Sequence, residues 1–315
     1  MEFQNRQVPF QSCSRLLKLE NSLSQVPMKM TKRKILSQVA RIYDPIGFAA
    51  AFIVRAKIGL QELWQRGLDW DDEVPPAVQE SWVSLFQEIK ELDSVSFERC
   101  LTVVNAVEPP ILCVFADASQ EAFGACAYVR QKRDDDTHAV KFVAAKSRVA
   151  PIKQLTIPRL ELQAAVLASR LARYIQEESR LQFTDVKFFT DSTITLAWIR
   201  NSSRSFKPFV SSRVGEIQST TDPNQWNHIA SEDNVADDPS RGIRVNELQG
   251  RWMNGPQFLR LPEDQWPIQQ TPPPPKEDME RRQIHVLTAV TAQKAKSVID
   301  PSTFSSWRKL KRETA

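Results

Sequence analysis

Apolar residues recur along this chain with two different periods, and the change from one to the other falls near Val103. Before it the spacing is three and four residues, the period of a helix face. Lys32 to Ile42 and Ala49 to Arg66 follow it on either side of the turn signal Asp44-Pro45-Ile46-Gly47. Pro76 to Leu92 follows it again, with Val78, Trp82, Leu85, Phe86 and Ile89 forming a stripe behind a Pro75-Pro76 entry. After Val103 the pattern predicts strands. Ile111 to Ala116, Ala122 to Val129 and Val140 to Ala145 are apolar runs with short connections, the last across the acidic loop Asp134-Asp135-Asp136, and together they read as an antiparallel meander. Leu160 to Gln176 is rich in Ala and Leu, has no breaker, and follows Pro158, which suits a first helical turn. Val186 to Thr190 reads as a buried strand, Ser192 to Ile199 and Phe209 to Gln218 as helices, and Gln225 to Ile229 as a short strand. The order is that of a mixed α/β fold with five strands and flanking helices, preceded by a mainly helical region.

The chain divides on this basis into a polar N-terminal segment (1–28), a helical region (29–102), an α/β domain (103–242), a linker rich in Trp and Pro (243–275) and a charged end (276–315). The linker holds Trp252, Phe258 and Trp266 and runs into Pro272-Pro273-Pro274-Pro275, a polyproline stretch. Composition removes several functions. Only 8 of 315 residues are Gly, against 20 Pro, and neither a GxxxxGK[ST] loop nor a GxGxxG fingerprint is present, which excludes ordinary phosphate-loop and dinucleotide-binding readings. Cys13, Cys100, Cys113 and Cys126 have no CxxC spacing, and His138, His228 and His285 lie far apart, so a structural zinc site is not expected. The longest apolar stretch, Phe48 to Val54, is far short of the roughly 20 residues that span a bilayer, and no secretory pattern opens the chain. The expectation is a soluble intracellular protein, cytoplasmic or nuclear.

Net charge is +4, a weak signal, but its distribution is uneven. Lys29 to Arg66 carries eight basic residues against two acidic, a net of +6, and Gly67 to Cys100 two basic against nine acidic, a net of −7. Such blocks are solvated helix faces or polyanion contacts. The candidates for nucleic-acid contact are Lys32, Arg33, Lys34, Arg41, Arg55 and Lys57 in the first block, and Arg200, Arg204, Lys207 and Arg213 in a later one. Between Pro110 and Gly242 the count is 17 basic to 16 acidic, so the α/β part alone is nearly neutral.

Four acids stand out by position. Asp117 closes the first strand in the phrase FADAS (115–119), and Asp191 closes the fourth in FTDST (189–193). A carboxylate ending an apolar strand is costly to bury unless it meets a donor, a cation or water. Glu161 sits in the first turn of the long helix between Leu160 and Leu162, and Asp237 follows Val235-Ala236 in DNVADDPSR (233–241). Taken singly, these fit a turn cap, a helix-dipole acid and a solvated loop.

Taken together, the order Asp, Glu, Asp, Asp over strand one, the first long helix, strand four and a final helical segment resembles the ribonuclease H fold. The flanks KILSQVARIYDPIG (34–47), PRLELQAAVL (158–167), WNHIASEDNVADDPSRG (226–242) and WMNGPQFL (252–259) resemble the Pol polyprotein of Pao/BEL-type LTR retrotransposons, over roughly residues 30–270. The resemblance implies a ribonuclease H-like mixed five-stranded sheet behind a thumb- or connection-like helical region. It also implies two-metal hydrolysis of the RNA strand of RNA–DNA hybrids, with Asp117, Glu161, Asp191 and Asp237 as catalytic and metal-binding residues and two Mg²⁺ ions, or Mn²⁺, as cofactors. In that reading Asp117 is shared between the ions, Glu161 and Asp191 hold the first, and Asp237 holds the second. Glu161 also faces the 2′-hydroxyl that distinguishes RNA.

The partners so implied are the hybrid and the rest of a Pol polyprotein, a polymerase palm upstream and an integrase downstream, which Phe304 to Lys311 resemble the approach to. Residues 276–315 are then a truncated approach to that region. The polymerase Tyr-x-Asp-Asp motif is absent, so DNA synthesis is not implied. The histidine that many ribonucleases H carry after the last strand falls near Glu232, and His228 reads as structural. Two alternatives stand beside this reading: an inert or merely nucleic-acid-binding retroelement remnant, and an aspartic peptidase. The peptidase needs Asp-[Ser/Thr]-Gly for its tight loop, and Asp191-Ser192-Thr193 lacks the glycine.

Overall fold

The computed structural model describes residues 7–9, 30–98, 100–269 and 280–282. The expected helices form as α1 (Lys32–Val39), α2 (Ala50–Gln65) and α3 (Pro76–Glu91). The turn between α1 and α2 works as a cap: both oxygens of the Asp44 carboxylate accept backbone N–H groups, from Gly47, Phe48 and Ala49, each at 2.9 Å. Gly47 takes φ +81°, and a Cβ there would lie 1.9 Å from the Ala145 carbonyl oxygen, so glycine is the residue this contact admits. A short pair, β1 (Gln7–Pro9) with β2 (Ser96–Glu98), lies partly in the polar N-terminal segment.

The main sheet has the order β5-β4-β3-β6-β7. Its members are β3 (Ile111–Ala118), β4 (Ala122–Lys132), β5 (His138–Val149), β6 (Asp185–Thr190) and β7 (Trp226–His228). Strands β3, β4 and β5 form the expected meander, and β6 lies parallel to β3 with β7 parallel to β6. The chain reaches β6 from β5 through α4 (Ile157–Glu178), then adds α5 (Thr193–Ile199) and α6 (Pro208–Thr220) before β7 and ends the sheet region with the one-turn α7 (Asp237–Arg241). This is the mixed five-stranded α/β architecture that the sequence pattern predicts.

Alternation along β3 sorts two cores. Leu112, Val114 and Ala116 face α4 and α6, where Leu162, Leu171, Val210 and Ile217 are buried with them. Cys113 and Phe115 face the other way, into a core shared with Phe52, Leu63 and Trp82 of the helical region. The helical region and the sheet therefore bury one apolar face between them.

One expectation is corrected here. Residues 243–269 are not a linker. Trp252 and Leu259 are fully buried and Phe258 and Trp266 nearly so, within that second core. Hydrogen bonds fix the segment on both sides: Trp252 Nε1 donates to the Phe48 carbonyl at 2.6 Å, and the Tyr128 hydroxyl to the Trp252 carbonyl at 2.6 Å. Proline-interrupted 3₁₀ turns carry no helical or strand period, which is why the pattern left this stretch unstructured. The Pro272–Pro275 stretch, most of residues 1–28 and nearly all of 276–315 lie outside the described residues. Among the described residues no helix is long and apolar enough to cross a membrane.

Replacing Trp252 by Ala should cost about 3–5 kcal/mol of unfolding free energy, the range for a large aromatic removed from a core. Urea denaturation of the two proteins checks this, and a loss below about 0.5 kcal/mol would return residues 243–269 to the status of a surface strap.

Candidate active site

Because Phe115 pairs with Phe189 across β3 and β6, the residues two positions further on, Asp117 and Asp191, leave the sheet at the same end and on the same face. The two rings stack at 4.8 Å, so the apolar register that sets the strands also sets the acids. Glu161 enters from the first turns of α4, and its carboxylate accepts the hydroxyl of Ser192, the residue after Asp191. Ser192 also caps α5 by accepting the Thr195 N–H at 3.1 Å, so Asp191-Ser192-Thr193 is a helix entry rather than a peptidase loop. Asp237 opens α7, where Arg241 Nε meets it at 2.6 Å.

Two buried residues tie α7 and its approach to the strand ends. Asn234, fully buried, donates to the Ala116 carbonyl at 3.1 Å and to Asp191 Oδ1 at 3.2 Å, while its own oxygen accepts the Ala236 N–H. Ser240, also fully buried, donates its hydroxyl to Asp117 Oδ2. Helix α7 comes this close because Gly124 stands opposite Asp117 in the β3–β4 ladder. A Cβ on Gly124 would lie 2.8 Å from Pro239. Asn234, Ser240 and Gly124 were not singled out as site residues in the sequence; the available signal was the placement of Asn234 and Ser240 three residues before and after Asp237.

The electrostatics follow from burial and repulsion. Asp117 is 5% exposed, and its carboxyl is pushed up to about 7, first by burial and then by the negative charges of Asp191 and Asp237, against the bond from Ser240. Glu161 is raised for the same reasons, burial first and then Asp191, with Ser192 opposing. The four acids thus form a linked series of like charges at one end of the sheet. Each is held by a donor of its own, and among the described residues no three His, Cys, Asp or Glu side chains stand close enough to hold one ion. All four side chains are carboxylates, Asp117 buried and Glu161, Asp191 and Asp237 partly so, and carboxylate oxygens are the hard ligands that Mg²⁺ takes. His228 is 8% exposed and its Nε2 lies 3.1 Å from the Asp191 carbonyl. Glu232 is exposed, and the buried neighbour Asp238 pairs with Arg251 at 2.6 Å.

The basic candidates divide. Lys32 is 2% exposed, bonds the Leu68 carbonyl and lies 3.7 Å from the Trp64 ring centroid, so it braces the helical region and is not a phosphate contact. Arg55 forks onto Glu88 at 2.7 and 2.9 Å. Lys57 reaches Ser147 from α2, with burial lowering its ammonium pKa. Arg213 lies over the Phe209 ring at 3.5 Å. Arg55 and Lys57 are thereby also engaged within the fold, because long cations cover apolar surface with their stems and seek carbonyls or carboxylates at the seams, whereas the buried Arg213 Nε has no hydrogen-bond partner among the described residues. Arg33, Lys34, Arg41, Arg200, Arg204 and Lys207 are exposed, Arg33 alongside Asp71 and Arg200 bonded to the Trp226 carbonyl.

Residues 31–192 match the family model described as the Pao retrotransposon-like RNaseH-like domain, a span holding Asp117, Glu161 and Asp191. No match was found among curated proteins. Among solved structures, the N-terminal RNase H domain of Rv2228c from Mycobacterium tuberculosis is 14% identical, with 42% of this chain and 94% of that one aligned and a TM-score of 0.29. The foamy viral protease-reverse transcriptase in complex with double-stranded DNA is 13% identical over 65% of this chain and 33% of that one, TM-score 0.40. RNase H1 from Halobacterium salinarum NRC-1 is 14% identical over 40% and 88%, TM-score 0.25.

The raised Asp117 pKa makes a signed prediction. Between about pH 4 and pH 7 the folded protein holds a proton that the unfolded chain has released, so stability falls as pH rises through that window and levels off above it. In metal-free buffer Asp117→Asn, which can still accept the Ser240 hydroxyl, should be more stable than the parent at pH 8 by at most about 4 kcal/mol. The gap should close towards pH 4. Urea unfolding at pH 4.5, 6 and 8 reads it directly, and a gap that does not change with pH would contradict the electrostatic account.

Proposed function

We infer that this chain, which belongs to the Pao retrotransposon-like RNaseH-like family, hydrolyses the RNA strand of RNA–DNA hybrids at the carboxylate cluster of Asp117, Glu161, Asp191 and Asp237. The observation that carries this reading is the pair of strand-end aspartates held abreast by the Phe115–Phe189 register, with Asp117 buried among like charges. Two Mg²⁺ ions, or Mn²⁺, would be held with Asp117 between them, Glu161 and Asp191 on one and Asp237 on the other, and would activate water and stabilise the leaving 3′ oxygen.

The chain's own residues supply orientation. Ser240 fixes the rotamer of Asp117, Asn234 that of Asp191, and Ser192 that of Glu161, so three of the four acids are aimed by a hydroxyl or amide from a neighbouring element. Arg241 offsets the charge of Asp237. Substrate is held through its backbone, by exposed cations including Lys34, Arg41, Arg204 and Lys207, and the setting is a Pol polyprotein with polymerase and integrase parts on either side.

A second reading, a fold that binds hybrid without turnover, draws on the absence among the described residues of three acidic side chains close enough to share an ion. One experiment separates the two. With a labelled RNA–DNA hybrid and Mg²⁺, the parent should cleave the RNA strand and Asp191→Asn should not, while Ser240→Ala and Asn234→Ala should retain about 1–10% of the rate, the usual cost of removing a residue that orients a ligand. Binding without cleavage by the parent supports the second reading, and equal cleavage by parent and Asp191→Asn overturns the assignment of the acids.

A further inference from the structure

Glu280 returns to the acidic end of the molecule and occupies a cationic slot there. Its carboxylate oxygen Oε1 accepts from Arg159 Nε at 2.8 Å, and Arg159 Nη2 lies 2.7 Å from the same oxygen. The Glu280 carbonyl accepts the Lys207 N–H at 2.7 Å, and Arg281 forms an antiparallel bridge with Phe206. Three contacts of different kinds therefore fix these residues between the start of α4 and the start of α6.

The slot has the chemistry of a phosphate site. The guanidinium carbons of Arg159 and Arg213 lie 4.8 and 3.5 Å from the ring centroid of Phe209, so two cations share one aromatic platform. Arg213 Nε is buried and has no hydrogen-bond partner among the described residues. Of the further charges acting on Arg213, Arg170 and Glu216 pair with each other at 2.5 Å and so leave the two cations of the slot facing one carboxylate, that of Glu280. A planar guanidinium suits carboxylate and phosphate alike. Arg159 stands two residues before Glu161 on α4, about 3 Å along the axis and about 200° around it, so the slot opens on a different side of the same helix start from Glu161. In sequence, Glu280 closes Lys276-Glu277-Asp278-Met279-Glu280, an acidic run of the sign a polyanion carries.

We propose that Glu280 is an intramolecular competitor for nucleic acid, its carboxylate holding the Arg159–Phe209–Arg213 slot that otherwise takes a backbone phosphate. The proposal rests on the hybrid-binding reading above and adds to it an internal occupant that substrate must displace. Freeing the slot removes one competing ion pair, and the gain in affinity expected from a partly exposed pair is about two- to fivefold.

The test compares the full chain with Glu280→Gln, which keeps the shape of the side chain, in EDTA so that no turnover intervenes. Anisotropy of a labelled RNA–DNA hybrid at low salt should show about two- to fivefold tighter binding by the variant, and Arg159→Ala added to Glu280→Gln should remove that gain. Inorganic polyphosphate, used as a second probe, should show the same order of affinities. Equal hybrid binding by parent and Glu280→Gln, or a gain that survives Arg159→Ala, overturns the proposal and leaves the hybrid reading standing. No hybrid binding by either protein, whatever polyphosphate does, overturns the hybrid-binding reading and the proposal with it.

Discussion

The parallel pairing of β3 with β6 in the register that sets Phe115 against Phe189 is the constraint on which the site depends. Two strands that run side by side in the same direction cannot be joined by a tight turn; the chain must cross over, and a helix is the usual means. That crossover includes α4, whose first turns bring Glu161 to the strand ends. One pairing thus accounts for the place of three acids, and the fourth follows from α7 seating against Gly124. A slip of β6 by one residue would put Asp191 on the opposite face and break the ring stack at the same time. The apolar interaction and the charged arrangement are therefore selected together. The unfavourable crowding of carboxylates is offset by the apolar burial in the two cores on either side of the sheet and by the hydrogen bonds from Ser192, Asn234 and Ser240.

Much of this was legible in the sequence because the relevant signals are local. An apolar run ending in Asp117, a second ending in Asp191 and an uninterrupted helix after Pro158 need no tertiary information. The limits appear where context decides. Strand β5 continues to Val149, past the end of its apolar run at Ala145, because Lys146 and Arg148 point outward on an edge strand while Ser147 turns in and bonds to Lys57 and Ala50. Residues 243–269 were opaque for a related reason: their aromatics are buried by what they meet, not by a repeat they form.

The basic block between Lys29 and Arg66 teaches the same lesson about charge. Counted in sequence, it looks like a surface for a polyanion. In the fold, Lys32, Arg55 and Lys57 spend their charge inside, on a carbonyl beside two tryptophans, on Glu88, and on Ser147 of the sheet. Arginine and lysine are long enough to bridge packed elements, and a region that must adhere to a sheet uses them for that purpose. The count of positive residues consequently overstates the charge this region turns towards solvent.

The burial of Trp252, Phe258 and Trp266 has a consequence for the order in which the molecule can be made. A chain emerging from its N-terminus completes β3 well before the aromatics that cover that strand's second face exist. At about 5–20 residues per second, the interval between Ala118 and Trp266 is on the order of ten seconds. Through that time Phe115, Tyr128, Phe142 and Phe189 have only part of their final surroundings, and the strand ends lack Asn234 and Ser240. The acidic site is therefore among the later features of the fold to become complete, and a ribosome pause before residue 266 would leave an open apolar face on the sheet.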